Sequence, residues 1–140
     1  MFDLERFVTA QARDYEIALR EVRAGCKRSH WMWYIFPQIQ GLGRSETAQY
    51  YAIQSAEEAK AYLAHPILGM RLQEISIALL GLATSDPQAV FGYTDSLKLR
   101  SSMTLFYQVS HYFVFERVLK KFFGGELDKN TISILEETNQ

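Results

Sequence analysis

The stretch from Asp95 to Phe123, DSLKLRSSMTLFYQVSHYFVFERVLKKFF, decides the fold class. Leu99, Met103, Phe106, Val109 and Phe113 recur at intervals of three and four residues, which gathers them on one face of a helix. The apolar spacing continues through Phe115, Val118, Leu119 and Phe122 and stops at Gly124-Gly125. Gly92 breaks the chain ahead of this segment, Thr94 or Asp95 can cap its start, and a bend is expected near Ser110. Strands find no support: the chain has no Asn-Gly or Asp-Gly hairpin and no clean alternation of apolar and polar residues.

Working outward, the rest of the chain carries the punctuation of short helices. Residues 3–24 place Leu4, Phe7, Val8, Ala12, Tyr15, Leu19 and Val22 on one stripe, with Asp3 as a start cap and Gly25 as a stop. His30 to Phe36 lies between a Ser29 cap and Pro37 and has no polar stripe, so it is buried as a short helix or, alternatively, as a strand. Gln38 to Arg44 reads as a loop, and Ser45 caps a short helix to about Ile53. Ser55-Ala56-Glu57-Glu58 is a capping box that opens a helix to about Ala64. Pro66 and Pro87 each sit at a first helical position, and a last helix spans about 130–138, packing Ile132 and Leu135. No repeat or low-complexity tract is visible. The expected fold is all-α, an irregular single-domain bundle of six to eight short helices over residues 1–140.

Composition narrows the function classes. A chain of 140 residues with 48% hydrophobic residues can bury a core without a disulfide or metal staple. Fifteen Lys and Arg against sixteen Asp and Glu leave a net charge of -1, which argues against a general nucleic-acid binder. The lone Cys26 excludes an internal disulfide and a multi-cysteine zinc site. The longest charge-free stretches, Ser29 to Gly43 and Ser101 to Phe115, fall short of the roughly 20 apolar residues of a membrane span. The acidic start Met1-Phe2-Asp3-Leu4-Glu5 is unlike a secretory signal, so a cytoplasmic protein is expected.

Three places could carry chemistry. The first joins the aromatic block to the loop after it. Trp31 and Trp33 offer flat rings for stacking, and Gly41, Gly43 and Arg44 could approach an anion with amides and a guanidinium. The same aromatics would equally serve as core, and the same glycines as a turn. The second is Asp95 to Thr104, where Asp95, Lys98 and Ser102 share one helix face and Ser101 lies at its edge, an arrangement suited to an anion. Its plainer reading is a capping Asp95, a solvated Lys98 and serines bonded back to carbonyls. The third is histidine. His30, His65 and His111 are dispersed, Cys26 and His30 form the only pair at metal-ligand spacing, and neither a metal nor a cofactor is expected.

Further motifs run in order along the chain: Phe7-Val8-x-Ala10-Gln11, Gly25-x-Lys27-x-x-His30-Trp31-Met32-Trp33-x-x-Phe36-Pro37-Gln38, Gly41-Leu42-Gly43-x-Ser45, His65-Pro66-x-Leu68-Gly69-x-Arg71-Leu72, and Asp95-x-x-Lys98-x-x-Ser101-Ser102-Met103-Thr104-Leu105-Phe106. Together they resemble a family of small uncharacterised bacterial proteins, domain of unknown function 1810, some members of which carry the label calpastatin. The resemblance implies an all-helical single domain and supplies no activity. The label conflicts with composition, because a calpain-inhibitor segment is a disordered polar chain.

The residues point to a pocket protein for a small anionic, nucleotide-like ligand. Trp31 and Trp33 would stack its ring, while Arg44, Lys98, Ser101, Ser102 and the Gly41 and Gly43 amides would cradle its phosphate. A metal-free hydrolase would use Asp95 or His30 as acid or base. The alternative is a non-enzymatic interaction module or homodimer that presents the Trp31-Trp33-Phe36 block to a protein partner.

Overall fold

The long apolar segment folds as two helices that double back on each other. In the computed structural model, which describes residues 2–138, α6 spans Pro87–Ser110 and α7 spans Phe113–Phe123. The expected bend near Ser110 is a complete break. His111 adopts the left-handed conformation with φ 59°, and its amide bonds back to the Tyr107 carbonyl. The Ser110 hydroxyl donates to the Phe106 carbonyl at 2.6 Å and accepts from the Tyr112 amide at 3.1 Å, so a polar side chain closes the old helix and opens the next. At the other end, Asp86 accepts from the Gln88 amide at 3.0 Å and Pro87 occupies the first turn. Gly92, at φ 79° and ψ 169°, breaks the helical path inside α6 as expected, so two helical stretches meet there across a kink, and Thr94 and Asp95 lie within the second stretch instead of capping it.

The remaining helices are α1 (Glu5–Arg23), α2 (Met32–Ile35), α3 (Glu46–Tyr51), α4 (Ala56–Ala64), α5 (Leu68–Leu80) and α8 (Lys129–Thr138). The fold is all-α, with eight helices among the described residues. The only extended pairing there is an isolated parallel bridge between Ile39 and Ile53. Ser45 and Ser55 cap as expected, accepting from the Ala48 and Glu58 amides at 3.1 Å each. Three boundaries differ. Asp3 does not cap α1, since Leu4 holds that position without a side-chain bond. α2 is a single turn with Trp31 at its cap position, and the Ser29 hydroxyl donates to Glu21 at 2.6 Å instead of capping it. α5 starts two residues after Pro66, with His65 Nδ1 accepting from the Ile67 and Leu68 amides.

α6 packs against α4, α7 and α8, while α5 packs against α1, α4 and α7. Phe7, Tyr62, Leu72, Ile75, Leu99, Phe106 and Phe115 are fully buried between them. Gly69 marks where α4 and α5 meet most closely: a Cβ there would lie 2.0 Å from the Leu63 carbonyl oxygen, so only glycine fits. Arg6 and Glu58 form a buried ion pair at 3.1 Å, and Arg6 also donates to the Tyr50 and Ala52 carbonyls at 2.9 Å each. One side chain of α1 thus pins both the start of α4 and the segment that carries α3.

Candidate functional site

The aromatic block is sorted by one acid. Glu21 accepts from the amides of Arg28 (2.7 Å) and Ser29 (2.9 Å), the Ser29 hydroxyl (2.6 Å) and the Trp31 indole N–H (3.0 Å). These bonds draw the chain after α1 inward and seat Trp31 in the core, 1% exposed, edge-on to Phe91. Desolvation would raise the Glu21 carboxyl, but the four hydrogen bonds outweigh it and lower the pKa to about 2. Because the folded value lies below the ordinary one of 4.5, Glu21 contributes stability above about pH 4.5 and loses it as pH falls toward 2. Thermal melts of wild type should therefore decline across that window, and the decline should be smaller in Glu21→Gln.

Trp31 is consequently unavailable to stack a ligand, a correction to its expected role. Phe36 is also fully buried, so the Trp31-Trp33-Phe36 block forms no exposed interaction patch. Trp33 alone is half-buried, with one part of its indole open to solvent. Their order in the sequence could not separate them, because the run lacks a polar stripe.

Beside these indoles lies a cluster that joins distant segments. Asp95 pairs through Oδ2 with Lys27 Nζ at 2.8 Å and through Oδ1 with Lys98 Nζ at 3.3 Å. Each ammonium also lies 5.0 Å from an indole centroid, Lys27 from Trp31 and Lys98 from Trp33. The cluster carries two positive charges and one negative charge. With both oxygens engaged, Asp95 holds lysines in place and is not a free acid or base. Lys27 is a residue that spacing could not find, since nothing local links position 27 to position 95.

The other candidates separate. Ser101 is buried and bonds the Leu97 carbonyl and Asp128 Oδ2, both at 3.1 Å, where Asp128 also holds Thr131 at the start of α8. It is a strut of the core and not part of a phosphate cradle. Ser102 is fully buried and its hydroxyl has no partner among the described residues. Gly41 is required by its φ of +95°, and Gly43 by Ala48, whose Cβ would lie 2.5 Å from an added Cβ. Turn geometry and close packing explain both. Arg44 is exposed. His30 is exposed on the rim of an open cleft of about 560 Å³, walled by Trp33, Tyr34, Tyr50 and Tyr51 and flanked by Arg13. The Tyr34 hydroxyl donates to Asp14, and burial together with that carboxylate pushes it up to about 12.

Trp33 and Tyr51 also line a small, partly open pocket of about 20 Å³, enough for one water, with Lys98 and Gln38 in its wall. Beyond it, Gly43 and Ala52 lead to a second open cleft of about 400 Å³ lined by Gln40, Gln49 and Gln54. Among the described residues no group of three or more His, Cys, Asp or Glu could hold a metal ion, and no helix is long and apolar enough to cross a membrane.

Comparison with known proteins gives family and fold without an activity. The chain is similar to the conserved hypothetical protein Rv1873 from Mycobacterium tuberculosis, known from a crystal structure. The two share 46% identity over 96% of this chain and 97% of that one, with a TM-score of 0.94. No curated protein matches. The model of the family described as protein of unknown function (DUF1810) matches residues 1–135, and the chain belongs to that family.

Proposed function

We propose that the Trp33 face binds a small anionic, ring-bearing ligand of nucleotide type. The observation that carries this reading is the Lys27–Asp95–Lys98 cluster: one surplus positive charge held against an indole whose other part walls an open aromatic cleft. Ordinary surface charge has no need of a shared carboxylate, partly buried ammonium groups and ring faces together. A ring stacks on Trp33 beside Tyr50, and an attached phosphate meets Lys98, with Lys27 and Asp95 fixing its position. His30 adds a hydrogen-bonding group at the rim, where Arg13 is paired with Asp14 at 3.0 Å and Glu46 also lines the cleft. Where the ligand is turned over, His30 is the group placed to exchange a proton, because Asp95 is engaged by both lysines. The exposed free thiol of Cys26 suits a reducing cytoplasm.

The test is a thermal-shift titration with AMP, UMP and sugar phosphates. Saturation at 100 Kd stabilises a folded state by about 2.7 kcal/mol. Lys98→Ala and Trp33→Ala should remain folded and lose most of that response. The Lys98–Asp95 pair is partly solvated, so Lys98→Ala by itself should change stability by about 1 kcal/mol or less. A folded wild type that responds to none of these ligands overturns the reading.

A further inference from the structure

Where α6 ends between α4 and α8, the described residues bound another open cleft, about 400 Å³ in volume. It shares no lining residue with the aromatic cleft at Trp33. Its apolar wall is Val109 of α6 with Ile132 and Leu135 of α8; the first two are half-buried and Leu135 is buried. Its polar wall is Lys60 of α4, Gln108 of α6, Glu136 of α8 and His111 in the turn after α6. The left-handed conformation of His111, at φ 59°, leaves its imidazole exposed, 5.2 Å from the Tyr107 ring. Glycine is the residue such a turn favours, so the backbone path does not call for an imidazole.

The fold uses none of these four polar side chains. Among the described residues Lys60 and Glu136 form no ion pair, with each other or with anything else, and the Gln108 amide and the His111 ring nitrogens make no hydrogen bond. The Arg6–Glu58 and Lys27–Asp95 pairs, by contrast, tie elements together. The cleft therefore presents one ammonium, one carboxylate, an imidazole and an amide beside an apolar wall, in a volume suited to a small molecule. An anion alone would meet the Glu136 carboxylate, and a cation alone the Lys60 ammonium. A purely apolar molecule would strip water from both charges and return nothing. A molecule that carries both charges and an apolar side chain satisfies all of the wall.

We infer that this cleft binds a free α-amino acid with an apolar side chain. Its carboxylate meets Lys60 and the imidazole of His111, its ammonium meets Glu136, and its side chain lies on Val109, Ile132 and Leu135. The Gln108 amide, both donor and acceptor, serves either polar end. This site is separate from the Trp33 face, and neither reading depends on the other.

Calorimetric titration of the full chain with leucine, methionine and phenylalanine, carried into the millimolar range, tests this. At least one should bind. Its amide, which lacks the carboxylate, and its N-acetyl form, which lacks the ammonium, should each bind tenfold or more weaker. Lys60 and Glu136 are exposed and unpaired among the described residues, so Lys60→Gln and Glu136→Gln should both melt like wild type. Lys60→Gln should erase the preference for the free amino acid over its amide and keep that over the N-acetyl form, and Glu136→Gln should do the reverse. If none of the three amino acids binds, or if the blocked forms bind as well as the free one, the inference is overturned. Binding whose preferences survive both substitutions places the ligand elsewhere and overturns this cleft as its site.

Discussion

Trp31→Ala should cost about 3–5 kcal/mol, the range for truncating a large buried aromatic side chain. Trp31 is almost fully buried, packs near Phe36 and Phe91, and gives its indole N–H to Glu21. Its loss empties a large volume and leaves one arm of the Glu21 clamp without a partner. It also removes the ring under the Lys27 ammonium. Total stabilities of about 5–15 kcal/mol make this a large fraction, so the variant should be partly unfolded at modest urea concentrations. Trp33→Ala, two residues away, should unfold close to wild type. Urea melts of the two side by side give the comparison. Equal losses in both variants would show that Trp33 is core as well, and would remove the indole from the proposed site.

The second large effect concerns Arg6. Arg6→Leu strands the Glu58 carboxylate, 2% exposed, with the Gln54 amide as its remaining charge-stabilising partner from outside α4. Removing one member of a buried ion pair costs about 3–5 kcal/mol, mostly through the unpaired charge left behind. The Tyr50 carbonyl loses its Arg6 donor in the same substitution, and the Ala52 carbonyl keeps only the Gln54 amide. Arg6→Leu combined with Glu58→Leu should recover part of the loss, since the stranded charge is gone. The segment that carries α3 should stay loose in both, because neither variant restores the Arg6 bonds to Tyr50 and Ala52. Guanidinium denaturation of the single and double variants, with exchange rates for residues 44–52, separates the two contributions. A double variant no more stable than Arg6→Leu would locate the cost in the Arg6 contacts to Tyr50 and Ala52 and not in the buried charge.

The helices were legible because their causes are local. Three- and four-residue spacing at Leu99, Met103 and Phe106, caps at Ser45 and Ser55, and Pro87 in a first turn all act within a few residues of where they stand. The break at His111 was legible only as a bend. Nothing in its own sequence forces a non-glycine residue into the left-handed region; the return of α7 onto α6 does.

For the candidate site, the sequence by itself determined the residue types: indoles, a lysine on a helix with an aspartate one turn before it, and a loop with two glycines. It did not determine which indole is buried, because that depends on Glu21 reaching from α1 to the chain at Arg28, Ser29 and Trp31. The tertiary structure alone placed Lys27 against Asp95, gave Ser101 to Asp128, and laid α3 across Trp33. Each of these is a contact between residues distant in the chain. The free energy that selects them comes from burial and charge pairing in the assembled fold, which no periodicity in a single segment records.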